Sequence, residues 1–335
     1  MVKDRLESID FIRAVAIVII VTCHFLLYGG ISGFSPIGRY LAGIGNMLFF
    51  GISAFLFGFR YLEKGNAAFS AKEFLPRRMM RLFSSLWPFL TIVLIAYLLT
   101  GEHLSPIKIF LNYMGLGWFG KIVGIPHLWF VTMMIIIYLS YTAVGEIGRH
   151  KVLYQKFQGG GILTVFCLLL EYVFDLIPLP GAVFTILWIS LLIFFNAQKV
   201  WDWICKLRFV LILLTFIAFN ILSILTCFFE SLVGIAVRDW ASYLAAFSLL
   251  MMLLRIGNKI TVRKGILLLS SYSYELYLVH HVFCCDRFKI INIFVNPLID
   301  YVILWIVSIV CAVGLKYISD KFYGLLNASF TNVKN

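Results

Sequence analysis

Three polar residues interrupt the apolar stretch IDFIRAVAIVIIVTCHF at residues 9–25, and their types and spacing could support chemistry inside a membrane. Asp10 lies three residues before Arg13, close enough along a helix for the two side chains to pair. Arg13 and His24 are 11 residues apart, which is close to three full helical turns, so they share one face of the helix. We expect them to lie about 16 Å apart along the helix axis.

A histidine and an arginine at this depth suggest two different functions. Ionisable residues inside a membrane are energetically unfavourable and usually face a protein interior or a water-filled cavity. A neutral imidazole there can accept a proton from a hydroxyl, and a guanidinium can bind a phosphate. The alternative is structural, in which Asp10 and Arg13 form an interfacial ion pair and His24 is a helix-packing residue with its hydrogen bonds satisfied.

Other histidines favour the chemical interpretation. His127 begins one apolar segment in PHLWFVTMM, and His280 and His281 end another in SSYSYELYLVHH. With the orientation derived below, these three and His24 all fall in the outer half of the membrane, although single interfacial histidines are ordinary. Two carboxylates could assist them, since Glu275 and Glu171 lie within predicted spans. The alternative is that these carboxylates have no catalytic role and pair with Arg13 or with a tyrosine.

Three arginines in FLPRRMMRLF form a candidate anion site. Arg78 and Arg81 are adjacent on one helix face, and Arg77 is four residues before Arg81. Guanidinium groups at a helix N-terminus suit a phosphate, because free backbone N–H groups add to their bidentate donors. The alternative is that they only set the orientation of the helix at lipid headgroups.

The elements that position these residues are predicted to be membrane helices. Hydrophobic residues make up 62% of the 335 residues and charged residues 13%, and the mean hydropathy is +0.97, well above that of soluble domains. A spanning helix needs about 20 mostly apolar residues. The sequence therefore predicts an all-α integral membrane protein, a bundle of about ten transmembrane helices at residues 10–29, 41–60, 82–100, 128–146, 162–178, 181–197, 208–229, 240–256, 265–285 and 299–317.

The lysines and arginines predict the orientation, because they gather in cytoplasmic loops. With both termini cytoplasmic, 21 of the 28 fall on the cytoplasmic side, six fall outside, and Arg13 lies within a span. We expect a multi-pass protein of the plasma or inner membrane. The segment 104–120, interrupted by Pro106 and several glycines, is interpreted as an interfacial or re-entrant piece.

Composition also excludes several classes of function. The net charge of +12 follows the predicted topology and the anionic inner leaflet, so the lipid bilayer and not nucleic acid is the expected partner. The seven cysteines fall mostly within spans without zinc-ligand spacing, so no metal site is expected. No small-residue cleavage site follows the first apolar run, which is interpreted as a retained helix. A single transmembrane domain over residues 1–335 is expected, with no appended soluble domain.

Five motifs give the chain a resemblance to a known family. They are IDFIRAVAIVIIVTCH, MLFFGISAFLFGF, FLPRRMMRLF, HLWFV and SYSYELYLVHH, in this order across residues 9–281. Together they resemble acyltransferase family 3, integral membrane enzymes that acylate extracytoplasmic sugars and related acceptors. Three positions depart from the family pattern: Ala54 where glycine is usual, Ser84 where proline often follows the arginines, and Glu275 where an apolar residue is usual. These departures bear on local helix geometry and on the role of Glu275.

The resemblance implies a transferase that uses cytoplasmic acetyl-CoA, or another acyl-CoA, as acyl donor and cosubstrate, without a metal. It implies a catalytic role for Arg13 and His24, to which we add Asp10 and Glu275. It also implies donor binding by Arg78 and Arg81, to which we add Arg77. Acceptor binding is expected at residues of the last two motifs, namely His127, Trp129, Tyr274, Tyr277 and His280.

The expected reaction is O-acylation of an extracytoplasmic or lipid-linked glycan, such as a bacterial surface polysaccharide, most simply with an acetyl group. His24 would act as general base or as a transient acyl acceptor, and the sequence leaves both routes open. The alternative function is a secondary transporter or flippase for a sugar or lipid-linked intermediate, in which the polar face of the first helix relays protons or substrate.

Overall fold

The computed structural model describes residues 2–64, 70–147, 182–226, 232–257 and 264–332, and every regular element in these ranges is a helix. Twelve α-helices are present there, some of them joined by short 3₁₀ turns. They are α1 (Val2–Leu27), α2 (Ser35–Lys64), α3 (Ala71–Leu99), α4 (Pro106–Tyr113), α5 (Trp129–Ile147), α6 (Ala182–Phe195), α7 (Ala197–Lys206), α8 (Phe209–Thr226), α9 (Leu232–Gly257), α10 (Lys264–Ser271), α11 (Ser273–His280) and α12 (Pro297–Asn332).

Seven stretches of the described residues are long and apolar enough to cross a membrane. They correspond to seven of the predicted spans and lie in α1, α2, α3, α5 with its preceding turn, α8, α9 and α12. The predicted span 162–178 lies outside the described residues, and α6, at 14 residues, is apolar but shorter than a full span. The count of ten helices and the cytoplasmic termini remain predictions.

The predicted helix at 265–285 is divided into two short ones. Its first part is α10 and its second part is α11, each eight residues long. Tyr272 separates them with φ −99° and ψ 2°, and the helical pattern resumes where the Leu276 N–H donates to the Tyr272 carbonyl at 2.8 Å. The surrounding SSYS sequence explains why the helix is interrupted here, because the serine side chain competes for backbone hydrogen bonds and serine is a poor residue inside a helix.

The chain divides into two compact units. The first consists of Met1–Ile19, Tyr40–Ala71 and Ser140–Ser270, and the second of Ile20–Arg39, Lys72–Leu139 and Ser271–Asn335. In the first unit α2 lies so close to α6 that a Cβ at Gly58 would overlap the Phe194 backbone. There too α8 packs along α9, where the hydroxyls of Ser223 and Ser242 are 2.7 Å apart. A single domain over the whole chain remains a prediction.

The second unit contains the segment between α3 and α5. There α4 is followed by turns, and Asn112 donates from its side-chain amide to the carbonyls of Lys108 at 2.8 Å and Gly120 at 2.6 Å. The indole of Trp87 on α3 donates to the Tyr113 carbonyl at 2.8 Å, which attaches the end of α4 to α3. The segment is therefore structured by its own hydrogen bonds, and its placement at a membrane surface remains a prediction.

The departures from the family pattern do not break the helices that carry them. Ala54 is fully buried within α2, which continues without interruption to Lys64. Ser84 lies within α3, and its hydroxyl donates to the Arg81 carbonyl at 3.1 Å, a local bond that the helix tolerates. Both helices therefore continue through the positions at which the sequence differs.

Candidate active site

Four histidines of the second unit form one cluster. His24 lies in the last turn of α1, His127 in the 3₁₀ turn Pro126–Leu128 before α5, His280 at the end of α11, and His281 in the 3₁₀ turn that follows. His127, His280 and His281 are at most 2% exposed, whereas His24 is half-buried. The structure thus brings together the histidines that the sequence placed at one level.

The four rings pack directly against one another. His281 lies between two others, with its ring centroid 4.7 Å from that of His24 in an edge-on arrangement and 4.4 Å from that of His127 in a stack. The centroid of His280 is 5.0 Å from that of His24 and 6.0 Å from that of His127. Among these four rings one hydrogen bond joins two ring nitrogens, those of His24 and His280, and its direction decides which nitrogen of His24 is basic.

The hydrogen bonds of His280 determine the tautomer of His24. Nδ1 of His280 lies 2.8 Å from the Leu276 carbonyl, which can only accept, so this nitrogen donates. In a neutral ring the other nitrogen then has no hydrogen, so Nε2 of His280 accepts from Nδ1 of His24 at 2.8 Å. Nε2 of His24 therefore holds a lone pair, and no described residue forms a hydrogen bond with it. It is a free base.

His281 is held by a second set of hydrogen bonds. Its Nδ1 donates to the Gly124 carbonyl at 3.0 Å, and its Nε2 accepts from the Tyr28 hydroxyl at 3.1 Å. Gly124 has φ +85°, and a Cβ there would overlap the Tyr97 hydroxyl, so only glycine fits this position. Both ring nitrogens of His281 thus have hydrogen-bond partners, which fix the orientation of the ring. The rings of His24 and His127 pack against it.

Two members of this cluster were not assigned as site residues from the sequence. They are His281, counted above only for its depth, and Tyr28. The signals were present, because Tyr28 is four residues after His24 and thus one helical turn away, and His281 directly follows His280. What the sequence could not indicate is that the two side chains would bond to each other across 253 residues.

His127 is anchored by its neighbours from α11. Its Nε2 donates to the Leu278 carbonyl at 3.0 Å, and its backbone carbonyl accepts from the Tyr277 hydroxyl at 2.7 Å. The ring of Tyr277 lies 5.4 Å from that of His127 and is itself 2% exposed. The structure therefore joins two predicted acceptor-binding residues, although the Tyr277 hydroxyl proton is bonded within the protein.

The other two predicted acceptor-binding residues have partners elsewhere in the second unit. Trp129 packs edge-on against Trp118, with ring centroids 5.8 Å apart. The Tyr274 hydroxyl donates to the Leu82 carbonyl on α3 at 3.1 Å. Neither contact joins them to the histidine cluster, so their acceptor-binding role remains a prediction.

Glu275 is buried away from solvent and bonded to two other helices. Its carboxylate accepts from the Ser85 hydroxyl of α3 at 2.9 Å and lies 3.7 Å from the Lys316 ammonium of α12. Lys316 is also paired with Asp320 at 3.0 Å. Among the described residues the partners of Glu275 are thus a serine and a lysine, not Arg13 or a tyrosine. Glu171 lies outside the described residues.

Asp10 and Arg13 belong to the first unit. Their side chains approach to 3.9 Å, which confirms the pairing that their spacing predicts. The Asp10 carboxylate also accepts from the Ser270 hydroxyl at 2.7 Å, so it joins α1 to the end of α10. The pair therefore has a structural function within the first unit, and its catalytic role remains a prediction.

The three arginines at the start of α3 lie in different surroundings. Arg77 pairs with Glu73 at 3.0 Å, with both side chains more than half exposed. The guanidinium of Arg78 lies over the Phe74 ring at 5.8 Å, and that of Arg81 over the Tyr323 ring of α12 at 5.9 Å. Arg78 and Arg81 thus each lie beside an aromatic ring of the second unit, and their role in donor binding remains a prediction.

A comparison with known protein families indicates an acyltransferase. A family model described as an acyltransferase domain matches residues 6–318, nearly the whole chain. No curated protein and no solved structure matches the chain. In the part of the chain that the structure describes, no group of three or more histidine, cysteine or acidic side chains could hold a metal ion.

Proposed function

Because the chain belongs to acyltransferase family 3 and is a multi-pass membrane acyltransferase, we propose that it moves an acyl group from cytoplasmic acyl-CoA to a hydroxyl of an extracytoplasmic or lipid-linked sugar. Acetyl-CoA is the proposed donor, a surface polysaccharide the proposed acceptor, and the plasma or inner membrane the proposed location. The family match favours this activity over that of a transporter or flippase.

One observation carries the proposed mechanism, namely the hydrogen bond between Nδ1 of His24 and Nε2 of His280. It leaves Nε2 of His24 unprotonated and holds the ring in place. His24 then acts as general base: its Nε2 takes the proton of the acceptor hydroxyl as the oxygen attacks the thioester carbon. The carbon–sulfur bond breaks, and the imidazolium returns the proton to the departing thiolate, so that CoA leaves as a thiol.

The donor is proposed to bind through its phosphates at Arg78 and Arg81, with Arg77 contributing charge at the rim. Phe89, also on α3, packs against His127 with ring centroids 6.3 Å apart. Arg78 precedes Phe89 by 11 residues and Arg81 precedes it by eight, so the two arginines lie about 12–16 Å along this helix from the ring that contacts the cluster. An extended pantetheine arm follows the helix over this distance and brings the thioester to His24.

The test replaces His24 by asparagine in protein reconstituted into lipid vesicles. His24→Asn keeps an N–H donor near the δ position for His280 but has no basic nitrogen, so it separates catalysis from packing. We expect acyl transfer to fall by about 100-fold to 10,000-fold while the unfolding temperature in detergent stays close to that of the wild type. Near-normal transfer in a folded variant would remove His24 from the mechanism.

A quenched-flow experiment with labelled acetyl-CoA distinguishes the two routes to the product. In the one-step route that we propose, no label remains on the protein after denaturation in the absence of an acceptor. Label that is retained by the wild type and lost in His24→Asn would establish a transient acyl-histidine instead.

A further inference from the structure

Two nitrogens of the histidine cluster have no hydrogen-bond partner among the described residues: Nε2 of His24, which is the proposed base, and Nδ1 of His127. Nε2 of His127 donates to the Leu278 carbonyl at 3.0 Å, so in the neutral ring Nδ1 carries a lone pair. This atom is buried and accepts no hydrogen bond from a described residue. The residue as a whole is 2% exposed.

Such an atom is unusual in this surrounding. An acceptor that is removed from water without gaining a donor destabilises the fold, so buried polar atoms are nearly always bonded. Both nitrogens of His280 and both nitrogens of His281 obey that rule. In His127 only Nε2 obeys it, although two hydrogen bonds to α11 anchor the residue.

His127, whose Nδ1 has no hydrogen-bond donor, and His24, the proposed catalytic base, have a neighbour in common. Its ring stacks on that of His281 at 4.4 Å and an interplanar angle of 18°, and His281 in turn contacts His24 at 4.7 Å. His127 and His24 therefore both contact the imidazole ring of His281.

We propose that Nδ1 of His127 recognises the acceptor by taking a hydrogen bond from a second hydroxyl, next to the hydroxyl that is acylated at His24. The inference rests on the proposed function and specifies its substrate class: a polyol with two neighbouring hydroxyls, as in a sugar ring, and not a simple alcohol. A lone pair in this place accepts only from O–H or N–H donors, so an ether, a carboxylate or a phosphate at the same position is rejected.

Two substitutions separate recognition from packing. In His127→Gln the side-chain amide N–H occupies the ε position and can still donate to the Leu278 carbonyl, but the δ position has no acceptor. In His127→Asn the amide oxygen lies near the δ position and can accept, whereas the donor to Leu278 is lost. A purely structural His127 is replaced better by glutamine, and an acceptor-binding His127 is replaced better by asparagine.

The experiment measures acetyl transfer in vesicles from acetyl-CoA to a panel of methyl glycosides of glucose, galactose, mannose and N-acetylglucosamine, each compared with its monodeoxy analogues. For the wild type we expect one deoxy analogue to lose at least about tenfold in kcat/KM through loss of the second hydroxyl, not of the acylated one. In His127→Gln the ratio between parent and analogue should fall toward one, and in His127→Asn it should be partly kept. Unfolding temperatures of both variants are recorded in parallel.

The outcomes distinguish this inference from the function on which it rests. If the wild type acetylates glycosides and His127→Gln keeps the full preference for the parent over the deoxy analogue, the recognition role of Nδ1 is wrong while the proposed function stands. If the wild type acetylates no member of the panel although acetyl-CoA binds, the sugar acceptor itself is wrong and the inference is overturned with it.

Discussion

Nδ1 of His24 and Nε2 of His280 lie 2.8 Å apart although 256 residues separate them in the chain. The bond continues through Nδ1 of His280 to the Leu276 carbonyl at 2.8 Å, so both nitrogens of His280 are used within the protein. His280 thus bonds to His24, and the acceptor-binding role expected from its motif remains a prediction. We assign it the role of a positioning residue.

A set of His280 variants tests that positioning role. His280→Gln keeps an acceptor at the ε position for His24, whereas His280→Asn keeps the donor to Leu276 and loses that acceptor. We expect kcat to fall by about 100-fold in His280→Asn, because the ring of His24 is no longer held, and to be partly restored in His280→Gln. The KM for acyl-CoA should stay unchanged in both, as measured by steady-state kinetics in vesicles. Equal loss in the two variants would contradict the role.

The arginines of α3 should differ in their effect on donor affinity. If the proposed donor site is right, Arg78→Ala and Arg81→Ala each remove a charge-assisted bond to a phosphate, so the Kd for acyl-CoA should rise by about tenfold or more. Arg77→Ala is the matched control on the same turn, and its effect should be smaller because its guanidinium is paired with Glu73. Isothermal titration in detergent measures all three. An equal increase in Kd for the three variants would indicate a general electrostatic attraction and not a specific phosphate site.

Glu275 is expected to contribute to stability through Ser85 and Lys316. Glu275→Ala leaves the Ser85 hydroxyl unbonded and the Lys316 charge without its buried partner, so the free energy of unfolding should fall by about 1–3 kcal/mol. Glu275→Gln keeps an acceptor for Ser85 and should lose less. Chemical unfolding in mild detergent measures both. A large loss of rate in Glu275→Gln without loss of stability would instead support the catalytic role predicted from the sequence.

The contact between α2 and α6 should tolerate no side chain at Gly58. A Cβ there would overlap the Phe194 carbonyl, which is backbone and cannot rotate away, so Gly58→Ala should destabilise the protein by about 1–3 kcal/mol. Gly314→Ala is the control, because nothing lies within 4 Å of the added Cβ and alanine favours the helix by about 0.5–1 kcal/mol. Thermal unfolding compares them, and a neutral Gly58→Ala would show that α2 and α6 can separate.

Much of the architecture could be predicted because it depends on local properties. Hydropathy sums over about 20 consecutive residues, so the seven spans in the described ranges follow from composition alone. The pairing of Asp10 with Arg13 follows from a separation of three residues on one helix. The division of 265–285 into α10 and α11 was not predicted, because an apolar window does not show where serines weaken a helix.

For the site, the sequence could predict candidate residues but not the contacts between them. Residue types and their order along the chain indicated His24, His127 and His280 as candidates, because histidine is the usual base for a hydroxyl and these three share one predicted level. Their bonds were decided by the tertiary structure: His280 bonds to His24, His281 bonds to Tyr28, and Nδ1 of His127 has no described partner. Hydrogen-bond direction depends on the relative placement of atoms to within a few tenths of an ångström, and helix periodicity does not contain that information across 253 or 256 residues.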